Sequence, residues 1–262
     1  MPLASGTISE AAQLLLATRA AGQLIERLPS HLTPTTVEDG YAIQHAAHDL
    51  ASQPLGPWKI GATTEQAQRI LGLDGPFIGR PDPRRVIPSG AELALVDWFV
   101  GPPLIETEIG LVARVDLAEL PDDPMDLAEV IDVVACLELV NPRFSDMTTV
   151  GAPSLIADNA VASAIVASDA LGWSVDQVRQ LDRVPVSIEI DGVEKAVGTG
   201  AMALGHPLNV LGYAATLAAE WGTPIKAGEL VITGTCTGAI PGAAGMRCVG
   251  HVGDATVEID FR

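Results

Sequence analysis

Two glutamates one residue apart, Glu106 and Glu108, sit in the apolar run 104–112, and a third, Glu138, sits in the apolar run 133–140. Both runs read as strands. Side chains alternate faces along a strand, so Glu106 and Glu108 point the same way, roughly 6–7 Å apart. Burying two carboxylates on one face is costly unless something positive neutralises them, and neither run contains a Lys or Arg. Three converging carboxylates suit a hard, oxygen-preferring divalent cation, Mg2+ or Mn2+. The plain alternative is a pair of strands with one face in water and its glutamates solvated. A third carboxylate inside a second apolar run weighs against it.

Other residues could act beside them. Lys59, between Trp58 and Ile60 in a short apolar stretch ending at Gly61, is either a surface residue with its stem laid on the protein or a partly buried base. Asp158 and Asn159 follow the apolar approach 155–157. Asp158 is either a cap for a helix expected over 160–168 or a polar group of the site. The loop Gly234-Thr235-Cys236-Thr237-Gly238 follows an expected strand and offers N–H groups and hydroxyls to a carboxylate, or is a plain tight turn. It is not a P-loop, since no Gly-Lys-Ser/Thr follows. His206, just before Pro207, reads as structural, and the remaining histidines lack metal-ligand spacing. No G-x-S-x-G or H-E-x-x-H is present, and no G-x-G-x-x-G opens a helix after a strand.

The elements that must position these residues divide in two. Residues 1–55 read as a helical region: Thr7-Ile8-Ser9-Glu10 has the form of a capping box, Leu14, Ala17, Ala21, Leu24 and Leu28 recur at helical spacing, and Thr36 opens a second helix to about Ser52. Pro54-Leu55-Gly56-Pro57 marks a boundary. Residues 56–262 read as a catalytic domain of mixed strands: 58–61, strand-rich 94–115, 186–190 turning at Asp191-Gly192, 230–233 and 255–261. Helices are expected over 65–71, over 126–134 leading into the Glu138 strand, and over 208–221 between Pro207 and Gly222. Helices first, then strands mixed with a few helices, give an α+β class. With 48% hydrophobic and 18% charged residues the chain is globular, and 26 glycines and 19 prolines, together about 17% against an ordinary ~12%, imply many turns. A net charge of -18 excludes nucleic acid and anionic membranes as partners. Cys136, Cys236 and Cys248 are odd in number and read as reduced thiols of a cytoplasmic protein. Neither a signal peptide nor a membrane-spanning stretch is expected.

Taken in order, Trp58-Lys59-Ile60-Gly61, the E-x-E at 106–108, Glu138 with Arg143, Ile156-Ala157-Asp158-Asn159-Ala160, Leu204-Gly205-His206-Pro207-Leu208-Asn209 and the Gly-Thr-Cys-Thr loop form a pattern. It resembles the 2-keto-4-pentenoate (2-hydroxypentadienoate) hydratase and 4-oxalocrotonate decarboxylase family of the fumarylacetoacetate hydrolase superfamily. The resemblance covers nearly the whole chain, including Tyr41-Ala42-Ile43-Gln44. It implies strands rolled around the active site as a barrel-like β-roll, a helical N-terminal region, and one Mg2+ or Mn2+ held by Glu106, Glu108 and Glu138. It also implies Lys59 as the proton shuttle, Asp158 orienting a partner or a water, and Thr235, Thr237 and Gly238 holding a substrate carboxylate. Family substrates are small 2-oxo or 2-hydroxy acids from aromatic catabolism, handled by cytoplasmic homo-oligomers, in some cases beside a partner enzyme of the same pathway. Two departures stand out. Family hydratases usually have Pro-Asp-Tyr-Gly where this chain has Pro76-Phe77-Ile78-Gly79, and a serine where it has Val161.

The expected activity is therefore a metal-dependent lyase that hydrates a 2-hydroxy-2,4-dienoate to a 4-hydroxy-2-oxo acid. The near rival is decarboxylation of a 2-oxo-3-enedioate, an outcome that Phe77 and Val161 mildly favour. A C–C hydrolase of acylpyruvates ranks third: His45 and His48 follow Tyr41, but the Lys-Asn that should precede that tyrosine is missing. A catalytically silent scaffold subunit is the non-enzymatic alternative.

Overall fold

The computed structural model describes residues 2–52 and 54–262. Seven α-helices are described: α1 (Ser5–Ala20), α2 (Val37–Ala51), α3 (Glu65–Leu71), α4 (Leu95–Trp98), α5 (Ala152–Ala157), α6 (Val175–Val178) and α7 (Pro207–Glu220). The strands are β1 (Trp58–Gly61), β2 (Phe77–Gly79), β3 (Val86–Pro88), β4 (Ala91–Leu93), β5 (Leu104–Ala113), β6 (Ile131–Val140), β7 (Ala162–Ala167), β8 (Pro185–Ile190), β9 (Val193–Thr199), β10 (Leu230–Ile232), β11 (Ile240–Pro241), β12 (Arg247–Val252) and β13 (Ala255–Phe261). They make two mixed sheets. One runs β2-β1-β10-β5-β6-β7-β3 with β11 added to β5, and the other runs β4-β13-β12-β8-β9. This is the α+β architecture expected from the order of elements.

The pleat of β5 and β6 organises the molecule. Odd-numbered positions Ile105, Ile109, Leu111, Val133, Ala135, Leu137 and Leu139 join the main core with Val186, Ile188, Cys248, Val257 and Ile259 of the smaller sheet. The sheets approach closely at Gly250, where a Cβ would lie 2.8 Å from Leu137 Cδ2 and 2.9 Å from Thr107 Cγ2. The other face of the same strand pair carries the glutamates. Sheet pleating thus separates an apolar packing face from a chemical one within two ten-residue strands.

The N-terminal helices bury a second core: Ala11, Ala12, Leu15, Leu28, Leu32 and Ile43 pack on Val140, Phe144, Leu155 and Val161. They also hold the smaller elements in place. Tyr41 Oη accepts from Ile78 N at 2.9 Å, and Gln44 Nε2 donates to Ile78 O at 2.9 Å and Ile156 O at 2.8 Å, fixing β2 and α5 to α2.

Five local expectations are corrected. The Thr7–Glu10 capping box does not form, because α1 starts at Ser5 after Ala4, with no side-chain cap. The helix ends at Ala20, and Gly22 (φ 61°) turns the chain, so Leu28 reaches the second core by an irregular path. Residues 160–168 are not a helix. Asn159, Ala160 and Val161 all adopt left-handed backbone (φ 54–55°), and the alanine-rich stretch then becomes β7, paired with β6 and β3. Tertiary pairing overrides helix propensity there. The segment before β6 is a 3-10 turn over Pro124–Val130, and α4 interrupts the stretch expected to be strand-rich at 94–115. Helices 65–71 and 37–51, the Asp191-Gly192 hairpin and the final strand stand where expected.

Candidate functional site

In the β5–β6 ladder Glu106 lies directly opposite Glu138, and Glu108 opposite Cys136. Opposed residues share a face, so the three glutamates converge. One carboxylate oxygen from each lies within 4.8 Å of the other two, and Glu108 and Glu138 are fully buried. Parallel pairing of β1 with β10 (Lys59 beside Ile232), and antiparallel pairing of β10 with β5 (Ile232 beside Gly110), bring Lys59 to this face. Its side chain is 5% exposed, so it is buried and not a surface residue. Lys59 Nζ donates to Ala160 O at 3.0 Å, stands 3.6 Å from Glu138 Oε1 and lies 5.4 Å from the centre of the Phe77 ring.

One ammonium among three carboxylates leaves the cluster negative. Burial, then repulsion from Glu138, pushes the Glu106 carboxyl up to about 7, with Lys59 opposing. Burial and both neighbours push Glu108 well above the usual carboxylate range, and burial raises Glu138 against the pull of Lys59. Glu108 Oε1 and both Glu138 oxygens are buried with no hydrogen-bond partner among the described residues. Such orphaned oxygens are costly unless protonated or coordinated. An all-oxygen set of three carboxylates with unpartnered lone pairs fits a hard divalent cation.

The loop after β10 supports the ligands more than it faces the cavity. Gly234 N donates to Glu108 Oε2 at 2.8 Å. A side chain at 234 is not tolerated, since the backbone is left-handed (φ +88°) and a Cβ would sit 2.2 Å from Thr63 Oγ1. Thr237 Oγ1 accepts from Thr107 N and donates to Gly238 O, while Gly238 is exposed. Of Thr235, Thr237 and Gly238, only Thr235 lines the glutamate cavity. Its Oγ1 accepts from Thr237 N and Gly238 N, which leaves the hydroxyl proton to donate inward. Burial, followed by nearby Glu108, pushes the Cys236 thiol up to about 12, so this loop cysteine is no nucleophile.

The cavity beside the glutamates measures about 210 Å3. Its polar lining includes Lys59, Glu106, Glu108, Thr63 and Thr235, and its apolar lining includes Phe77, Leu71, Leu104, Met147, Leu155 and Val161. Lys59 is the one cationic side chain among the described lining residues. Phe77 and Val161, the two departures noted in the sequence, both border it.

Asp158 does not. It is buried, receives Arg19 Nη2 at 3.0 Å and Arg143 N at 2.6 Å, and lines a separate cavity on the other side of the Asn159–Val161 segment. It caps no helix through its side chain. His48 lines that other cavity and bonds Asn159, while His45 stacks edge-on to Trp221. Neither histidine reaches the carboxylates. His206 is the N-cap of α7, its Nδ1 accepting from Leu208 N at 3.0 Å. The sequence reading missed Thr63, Met147 and the Ala160 carbonyl. The last is a backbone atom, which no residue type announces.

No family model matches the chain. The 2-keto-4-pentenoate hydratase of Paraburkholderia xenovorans (strain LB400) is 31% identical over 232 residues, which is 86% of this chain and 83% of that one. Among solved structures, 4-oxalocrotonate decarboxylase from Pseudomonas putida G7, complexed with magnesium and adipate, superposes with a TM-score of 0.87 at 24% identity over 99% of both chains. Fumarylpyruvate hydrolase from Pseudomonas aeruginosa, in complex with Mn2+ and pyruvate, gives a TM-score of 0.57 at 17% identity over 80% of this chain and 90% of that one. The shared fold, and an identity of 31% over 86% of the chain, agree with the motif order read from the sequence: the chain belongs to the 2-keto-4-pentenoate hydratase and 4-oxalocrotonate decarboxylase family of lyases.

Proposed function

We propose that the protein is a divalent-metal-dependent hydratase that converts a small 2-hydroxy-2,4-dienoate into a 4-hydroxy-2-oxo acid. The observation that carries this reading is the polarity of the cavity. Lys59, Glu106 and Glu108, with Glu138 buried behind them, are its charged groups, the rest of the lining is largely apolar, and no second cation among the described lining residues could receive a second carboxylate. A monocarboxylic acid with an apolar tail fits such a space, and a dicarboxylate would bury its far charge unpaired.

Glu106, Glu108 and Glu138 would hold Mg2+ or Mn2+. When bound, the ion supplies Lewis acidity toward the oxygens of a 2-oxo acid. Lys59, fixed by Ala160 O, is placed to give an ammonium proton to the distal end of the diene and to recover one from the 2-hydroxyl, which gives the 2-oxo-3-enoate. Water then adds across the conjugated double bond, with its oxygen at C4 and its proton at C3. Thr235 donates its hydroxyl proton to the substrate carboxylate or to that water. Phe77 and Val161 keep the tail end dry and Phe77 seats the Lys59 ammonium against its ring. Asp158 is a positioning residue for the segment that carries the Ala160 carbonyl.

A second reading, decarboxylation of a 2-oxo-3-enedioate, is favoured by Phe77 and Val161 standing where polar groups are usual. The test is to offer each substrate separately with Mg2+, following dienol absorbance and CO2 release. Loss of the dienol without CO2 supports hydration, and CO2 from the diacid supports the second reading. If neither turns over while metal is bound, both readings fail.

We place the protein in the cytoplasm as a homo-oligomer, working beside a partner enzyme of the same pathway. Three free, buried cysteines suit a reducing compartment. No described helix is long and apolar enough to cross a membrane. The edge strand β9, with Val193 and Val197 more than half exposed, offers a surface for a second copy.

A further inference from the structure

The larger of the two cavities has no part in the proposed reaction. It measures about 510 Å3, within the range of small-molecule sites, and lies across the Asn159–Val161 segment from the carboxylates. Arg19, Arg85 and Arg143 line it, on a chain of net charge -18, together with one buried carboxylate, Asp158. Asp158 pairs with Arg19. Arg85 and Arg143 have no carboxylate partner within 4.0 Å among the described residues. Arg85 donates to Ser163 O and Trp98 O, and Arg143 to Asn141. Arg143 is 3% exposed, and its buried Nε has no hydrogen-bond partner among the described residues. Burial, followed by the nearby Arg19 charge, pulls the Arg143 guanidinium down to about 10, with Asp158 opposing and Arg85 adding to the fall.

The remaining charges do not cancel this excess. Arg80, also in the wall, is satisfied by Glu229 at 2.8 Å, Asp82 is forked by Arg84, and Asp97 is exposed. Burial holds His48 down at about 4, so it adds no charge. Beyond the arginines the wall turns apolar at Leu15, Leu16 and Trp98, and the Arg85 guanidinium lies 4.8 Å from the centre of the Trp98 ring. Guanidinium groups are the side chains best suited to bind phosphate and carboxylate groups through paired N–H donors.

We propose that this cavity is a second ligand site, separate from the carboxylate centre, which takes an organic anion whose phosphate or carboxylate head sits among Arg19, Arg85 and Arg143 and whose apolar body lies along Leu15, Leu16 and Trp98. The proposal is independent of the reaction assigned above. It is tested by calorimetric titration of the chelator-stripped full chain with phenyl phosphate and, in parallel, benzoate, with benzyl alcohol as the uncharged control. The expected result is saturable binding of one anion per chain, with no binding of the alcohol. Binding of phenyl phosphate alone identifies a phosphate-ester site, and binding of benzoate a carboxylate site. Affinity should fall roughly tenfold or more in Arg85→Gln and in the partly exposed Arg19→Gln, and stay unchanged in Glu106→Gln. Circular dichroism establishes that each variant is folded. The proposal is overturned if neither anion binds below about 10 mM, if both arginine variants bind like the parent, or if Glu106→Gln abolishes binding. It is also overturned if the parent binds neither anion and Arg19→Gln changes the oligomeric state, since a second copy then covers the cavity.

Discussion

Replacing Lys59 with Met should stop turnover without unseating the metal. The ammonium stands 3.6 Å from Glu138 Oε1 in a pair whose side chains are 5% and 0% exposed. At an effective dielectric constant of about 20 that attraction is roughly 4–5 kcal/mol. Removing it deepens the negative charge of the three glutamates, so the metal-free variant should hold protons more tightly than the parent. Once a divalent cation has displaced those protons, no neighbouring ammonium repels it. Mn2+ affinity at pH 8, read by calorimetry, should therefore be equal to or tighter than in the parent. Turnover behaves differently, because proton transfer by a positioned base is typically worth about 10²–10⁴-fold. We expect kcat for the dienoate at saturating Mg2+ to fall within that range. Lys59→Arg separates charge from proton transfer: it keeps the positive charge but cannot give up its proton, so metal binding persists and turnover stays low. A kcat in Lys59→Met within about threefold of the parent, at metal saturation and with the fold intact, would refute a proton-transfer role.

Three further outcomes follow from the geometry. Gly234→Ala should lower stability by about 1–3 kcal/mol in thermal unfolding and weaken Mn2+ binding, because its Cβ would collide with Thr63 and displace the N–H that holds Glu108. Unchanged metal affinity in that variant would detach the loop from the site. Glu106 keeps its proton to about pH 7 when folded but loses it near 4.5 when unfolded, so the folded state binds more protons between those values. Its contribution therefore falls as pH rises, by about 3 kcal/mol across the window. Denaturant unfolding of the chelated protein minus that of Glu106→Gln, at pH 5.5 and 7.5, should show this fall, and saturating Mg2+ should abolish it. A difference that rises with pH contradicts the assignment. Asp158→Asn should cost about 1–3 kcal/mol in denaturant unfolding by removing the carboxylate that pairs with Arg19 and accepts from Arg143 N, yet change kcat less than about threefold at metal saturation. A loss of kcat with stability retained would move Asp158 into the reaction.

The carboxylate site was legible because it rests on short-range rules. A period of two puts Glu106 and Glu108 on one face, and one antiparallel register adds Glu138. The neutralising lysine was harder to place. Lys59 arrives through a parallel pairing with β10, which is 171 residues further along the chain, and nothing in its neighbours encodes that adjacency. The same limit applies to the Asp158–Val161 stretch. A helix was expected over 160–168, but three consecutive left-handed residues, and the pairing of the following β7 on both sides, make this stretch the wall between two cavities, with Asp158 on one side and Val161 on the other. The Gly- and Thr-rich loop was recognisable as a source of N–H donors. That its glycine N–H serves Glu108, and not a substrate, depends on packing against Thr63.

The claim that three buried glutamates form one cation site is tested most directly by titrating Mn2+ into the chelator-stripped protein and into Glu138→Gln. The amide keeps the shape of the side chain and removes one of the three negative charges, at a position where neither oxygen has a hydrogen-bond partner among the described residues. The account predicts one Mn2+ per chain for the parent, proton release on binding, and an affinity at least tenfold weaker in the variant, on the order of 1.4 kcal/mol or more. Equal affinity in the two proteins, with the fold intact, would contradict it.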